Sequence, residues 1–163
     1  MDIRKVYEYA LQREREGMKF FSDNAARFSH GAATGVFQKL AVEEQKHILF
    51  IESLIAGLDS EGADIEPGRS LEAEGFFSQR AVSEMLDQTV IEAMVPDLAV
   101  LRMAYLIERD FAEFYEMAAV QVEDRLAREA LTMLARWERG HEVLFKTMHD
   151  KAFEEYAGMP WGG

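Results

Sequence analysis

A chain of 163 residues with 48% hydrophobic side chains is long enough to close one sizeable core and too apolar to stay disordered. Its formal net charge of −12 argues against a nucleic-acid partner, since phosphate binding needs clustered Lys and Arg. With no cysteine it has no disulfide, thiolate metal site, iron–sulfur cluster or cysteine nucleophile in these residues.

The charged opening Met1-Asp2-Ile3-Arg4-Lys5 reads as no secretory signal, and no run of about 20 apolar residues predicts a membrane span, so a cytoplasmic protein is expected. Residues 3–28 form the first predicted helix, with Asp2 as its N-cap. Ile3, Tyr7, Leu11, Met18, Phe21, Ala25 and Phe28 recur at three- and four-residue steps, and Glu14 falls on the same stripe. Ser29-His30-Gly31 is a turn. A second helix over 33–57 carries Phe37, Leu40, Ile51, Leu54 and Leu58, with Glu44 and His47 at intervening stripe positions. Residues 57–70 contain turn chemistry, including Glu66-Pro67-Gly68-Arg69-Ser70. Phe76, Phe77, Ala81, Val82, Met85 and Leu86 predict a shorter amphipathic helix over 78–92, with its aromatics packing on the outside of a bundle. The third long helix, 97–121, carries Leu101, Ala104, Phe111, Tyr115 and Ala118, with Glu108 on the stripe. The fourth, 125–155, carries Ala127, Leu131, Leu134, Phe145, Met148 and Ala152, interrupted by Glu138 and His141. The tail, with Trp161, is expected to be poorly ordered unless that ring docks.

A shift of 94 positions lays the first half on the second: Glu14 meets Glu108, Glu44 meets Glu138, His47 meets His141, and Phe21 meets Tyr115. A Glu and a His three apart share one helix face. In an antiparallel hairpin, residues equidistant from the turn lie at one depth. The midpoint of 14 and 44 is residue 29, and that of 108 and 138 is residue 123, both in predicted turns. Each lone Glu thus faces a Glu-x-x-His about 22 Å from its turn.

A single Glu-x-x-His in a Glu-rich chain is more often a solvated face than a ligand set. Six such residues at matched spacing, all on core faces, are different, because four buried carboxylates without cations would repel and protonate. Two divalent cations would balance four carboxylates, and carboxylate–imidazole ligation suits iron or manganese and tolerates zinc. Trp137 is expected to pack, His149 to lie near the surface, and Glu16, Glu43 and Glu113 to be solvated.

The phrases Ala10 through Phe21, Leu40 through His47, Glu108 through Tyr115 and Leu134 through His141 closely resemble the four helices of the rubrerythrin branch of the ferritin-like superfamily. The resemblance implies an all-α ferritin-like four-helix bundle in one domain, 1–163. It has two repeated antiparallel helical hairpins (2–57 and 97–156), a long crossover with a short extra helix (58–96) and a tail (157–163). It further implies two iron ions, with Glu44 and Glu138 bridging, Glu14 and His47 completing one iron, and Glu108 and His141 the other. Tyr115 would hydrogen-bond a bridging carboxylate. Phe111 departs from the pattern, since rubrerythrins typically place an additional Glu there, and the cysteine-bound rubredoxin module has no counterpart.

The expected function is therefore a di-iron oxidoreductase using peroxide or dioxygen, a peroxidase or ferroxidase, with an external electron donor. A non-catalytic metal-binding or iron-storage protein is the alternative, and a bundle keeping its ligands incidentally is a third. A homo-oligomer is expected, a dimer before larger assemblies. The crossover of about 40 residues is long enough to run the length of the bundle or to exchange a hairpin with a second chain.

Overall fold

The structure, a computed structural model, describes residues 1–28, 31–60, 64–74 and 79–160. Four long helices carry the bundle: α1 (Ile3–Ala25), α2 (Gly31–Leu58), α6 (Leu98–Gln121) and α7 (Arg125–Gly158). Between α2 and α6 lie α3 (Glu66–Glu74), α4 (Gln79–Met85) and α5 (Gln88–Met94), followed by a 3-10 turn at Val95–Asp97. No strand occurs among the described residues, and the architecture is the expected all-α ferritin-like bundle.

The apolar stripes assemble as the periodicity predicts. On α1 the buried face is Val6, Tyr7, Ala10, Glu14, Gly17, Phe21 and Ala25. On α6 it is Leu101, Ala104, Glu108, Phe111, Ala112, Tyr115 and Ala118. α1 packs chiefly along α2, and α6 along α7. Asp124 caps α7, its carboxylate accepting from the Ala127 N–H at 2.7 Å. Asp2 occupies the N-cap position of α1 but makes no side-chain cap.

The buried apolar residues form two separate halves. One contains Tyr7, Ile51, Leu54, Phe111, Tyr115, Leu131 and Trp137. The other contains Phe21, Phe37, Leu40, Met94, Leu101, Phe145 and Met148. α1 and α7 run from the first half to the second, and α2 and α6 run back. All four helices cross the boundary between the halves, and the chemistry of the molecule is concentrated there.

The crossover differs from the expected single short helix. The Glu66–Arg69 stretch, read as turn chemistry, opens α3. Pro67 is its second residue, where a missing N–H costs no intrahelical bond. A side chain at Gly68 would bring its Cβ to 2.5 Å from the Phe50 ring, so glycine is what lets α3 approach α2 so closely. The predicted 78–92 helix is broken at Leu86–Asp87, where Asp87 accepts from the Thr89 N–H at 2.9 Å and starts α5. Local capping here outcompetes a continuous periodicity. Ile65 and Leu71 pack in or against one apolar half and Val90, Ile91 and Met94 lie in the other, so this crossover runs the length of the bundle. Arg69–Glu129 (2.6 Å), Arg136–Glu72 (2.6 Å) and Gln88–Glu155 (2.9 Å) strap it to α7. The predicted Ser29–His30 turn, the Phe76–Phe77 pair and Trp161 lie outside the described residues.

Candidate metal centre

Between the apolar halves, Glu14, Glu44, His47, Glu108, Glu138 and His141 come together, each 0% exposed. One stripe position on α1 and one on α6, with an (i, i+3) pair on α2 and on α7, places them there. They form two overlapping quartets, Glu14–Glu44–His47–Glu138 and Glu44–Glu108–Glu138–His141. Within each, one potential ligand atom per residue lies within 4.8 Å of the others. Glu44 and Glu138 belong to both.

Each imidazole turns Nδ1 toward the carboxylates. His47 Nδ1 lies 2.9 Å from Glu138 Oε1, 3.2 Å from Glu14 Oε2 and 3.8 Å from Glu44 Oε2. His141 Nδ1 lies 3.4 Å from both Glu44 Oε1 and Glu138 Oε2, and 3.7 Å from Glu108 Oε1. The two rings are nearly parallel, 13° apart with centroids at 5.4 Å. Although these atoms stand at ion-pair distance, neither oxygen of Glu44, Glu108 or Glu138 accepts a well-directed hydrogen bond. Buried carboxylates left in this way are strongly disfavoured, and a cation between them removes the penalty. The donor set therefore fits two divalent cations, with two carboxylates shared and no thiolate.

Protons take the role of cations in the metal-free cluster. Burial, reinforced by Glu138 and Glu44, pushes the Glu14 carboxyl well above its usual range, and burial with Glu44 and Glu138 does the same to Glu108. Burial alone would discharge His47, but the carboxylates of Glu138 and Glu14 outweigh it and raise its pKa. Burial likewise opposes charge on His141, and Glu108, Glu138 and Glu44 overcome it. Glu138 goes the other way: burial would raise it, yet the flanking imidazoles hold it below the carboxylate range. Cation binding must displace these protons.

Tyr115 departs from expectation in its partner. Its buried hydroxyl donates to Glu14 Oε1, not to Glu44 or Glu138, because α6 packs across α1 at that level. Burial first, then the Glu14 carboxylate, raises its pKa and keeps it a donor. Its counterpart Phe21 stacks on Phe145 instead (centroids 5.3 Å, 2° between planes), so Glu108 has no phenol. Trp137 is buried as a packing residue should be, and its ring stacks on His47 at 5.0 Å.

Glu43 is not solvated as expected: it is buried and paired with Lys46 at 2.8 Å. Glu16 and Glu113 are exposed, and His149 is half-buried beside Tyr105 and Asp150. An ion network was not anticipated. Glu142, buried beside His141, bridges Arg109 (2.7 Å) and Arg139 (2.6 Å), and Arg139 also forks onto Glu116 at 2.8 Å twice. Only the Arg139–Glu142 (i, i+3) spacing could have signalled it.

A four-helix bundle with a buried layer of shared carboxylates and paired imidazoles is a ferritin-like bundle of the di-iron carboxylate class. The rubrerythrin family profile matches residues 5–149, and the chain belongs to the rubrerythrin family. Neither a curated protein nor a solved structure gives a significant match. No described helix is long and apolar enough to cross a membrane.

Proposed function

We propose that this protein is a di-iron oxidoreductase that handles peroxide or dioxygen, as a peroxidase or ferroxidase, with electrons from an external donor. In this reading Glu14, Glu44, His47, Glu108, Glu138 and His141 are the iron ligands. Glu44 and Glu138 would be shared between the two positions, Glu14 and His47 would complete one, and Glu108 and His141 the other. The observation that carries it is the sharing of Glu44 and Glu138 by both quartets while their oxygens lack directed hydrogen bonds.

When bound, the iron pair supplies two one-electron steps to the oxidant. The chain's own residues do the rest. Tyr115 holds Glu14 Oε1 with a proton donor and leaves Oε2 turned to the cluster. Trp137 fixes the plane of the His47 imidazole by stacking. The two apolar halves keep bulk water away and strengthen every charge interaction between them.

The test is Fe(II) titration of the metal-free protein, followed by peroxide under anaerobic conditions. Two Fe(II) per chain and a ferrous-to-ferric change in the Mössbauer spectrum, faster than for free Fe(II), are expected. Two bound ions without accelerated oxidation would reduce the protein to a metal carrier.

A further inference from the structure

Phe111 has no place in the chemistry above, yet its ring lies against the cluster. Gly17 is buried at the same level of α1. A Cβ built at Gly17 would sit 3.0 Å from Phe111 Cε2, 3.4 Å from its Cζ and 3.5 Å from Glu44 Oε2. The ring therefore fills the gap that glycine leaves, next to a carboxylate shared by both quartets. On the ring lies the Arg13 guanidinium, 4.7 Å from its centroid, one helical turn before Gly17. Arg13 forms no ion pair among the described residues, and its buried Nε donates no hydrogen bond. α1 meets α6 along a far shorter seam than it meets α2. At this seam the Phe111 ring carries the half-buried Arg13 and abuts Gly17, whose Cβ position also borders Glu44.

We propose that Phe111 and Arg13 form a selective gate on the α1–α6 seam, admitting small uncharged or anionic oxidants of the peroxide class and retarding divalent cations. This rests on the metal-pair reading above. Two physical parts make it work. The ring is held by a cation–π contact and by packing against a backbone without a side chain, and displacing it opens the seam at that point. The guanidinium, without an ion pair among the described residues, adds positive potential at the seam, which raises the approach rate of anions and lowers that of cations.

The test uses the metal-free full chain and two probes: Co(II) uptake followed by visible absorption, and azide binding to the cobalt-loaded protein. Phe111→Leu should speed both by about tenfold, because the conformational step is removed. Arg13→Gln should move them in opposite directions, speeding Co(II) uptake and slowing azide by about threefold each. Arg13→Lys should restore the wild-type order, and about 0.5 M salt should erase the difference. Gly17→Ala, which presses a methyl onto the ring, should slow both, and it keeps the test available if Phe111→Leu does not fold. Unchanged rates in Phe111→Leu or, in its place, Gly17→Ala would overturn the gate, and parallel shifts in Arg13→Gln would overturn its charge selection. Normal binding of two Co(II) with such rates sinks the gate alone, whereas failure to bind two Co(II) sinks the metal-pair reading and the gate with it.

Discussion

The two hairpins present the same ligand spacing inward and different surfaces outward. On α6 and α7, Arg109, Glu116, Arg139 and Glu142 form a continuous charged lattice, with Arg109, Arg139 and Glu142 each adjacent in sequence to a cluster residue. The positions 94 earlier are Arg15, Ser22, Gln45 and Ile48. There the outer face is an open groove lined by Met18, Ala41, Val42 and Ile48, crossed by one Arg15–Glu52 pair at 2.9 Å. Inside, the difference is reversed: Glu14 receives a phenol from Tyr115, whereas Glu108 receives none. The two halves of the centre are thus held by different means, one by a charged brace behind the helices and one by a hydrogen bond within the core.

The sharpest break of this comparison is removal of a shared residue. Glu44→Ala or Glu138→Ala should abolish binding at both positions, whereas Glu14→Ala or Glu108→Ala should leave one, as counted by metal analysis. With metal at a hundredfold excess over its Kd, the wild type gains about 2.7 kcal/mol for each of the two ions that the shared-residue variants lack. Without metal, Glu44→Ala should melt no lower than the wild type, since it removes one of the clustered carboxylates, whereas Glu138→Ala takes the partner from both imidazoles and should melt lower.

The next effect is on pH. Glu14 and Glu108 have folded pKa values raised above 4.5, and His47 and His141 values raised above 6.5. Such groups stabilise the metal-free fold fully below those unfolded values, and the contribution is lost as pH rises through the folded ones. Glu138, lowered, contributes above 4.5 and loses its share only in stronger acid. The metal-free melting temperature should therefore fall as pH rises, and the increment from metal should grow. A metal-free melting temperature flat between about pH 6 and 9 would contradict this proton inventory.

A smaller effect separates the outer faces. Glu142→Gln should cost about 1–2 kcal/mol, because two guanidinium groups lose a buried partner. The corresponding change at the exposed pair, Glu52→Gln, should cost under about 1 kcal/mol. Equal denaturation midpoints would remove the distinction between brace and groove. Smallest on stability is Tyr115→Phe, whose effect is read instead as metal binding weakened by about tenfold. Calorimetric titration would resolve whether one position or both respond.

The long helices and the six clustered residues were legible because both obey a helical period and a repeated offset. Glu14 on the stripe of Tyr7 and Phe21 is a local signal that tertiary packing merely completes. The crossover was not legible in the same way. Its helix break rests on one Asp87–Thr89 cap, and α3 begins where Pro and Gly usually mark a turn. Glu43 and Glu142 were misjudged or missed because their burial depends on neighbours distant in sequence. Tyr115 was placed near the right cluster, but its choice of Glu14 depends on how α1 and α6 cross, which no spacing encodes.

The division of the core into two halves has a consequence for how the chain comes to be. Each half draws residues from all four long helices, so neither hairpin owns a core. Phe21 and Phe37 wait for Phe145 and Met148, more than a hundred residues later in synthesis. A nascent chain that has made only α1 and α2 exposes both apolar stripes and four of its core aromatics, Tyr7, Phe21, Phe37 and Phe50. Folding is therefore expected to be a late, whole-chain event, and truncation within α7 should yield an aggregating fragment in place of a smaller bundle.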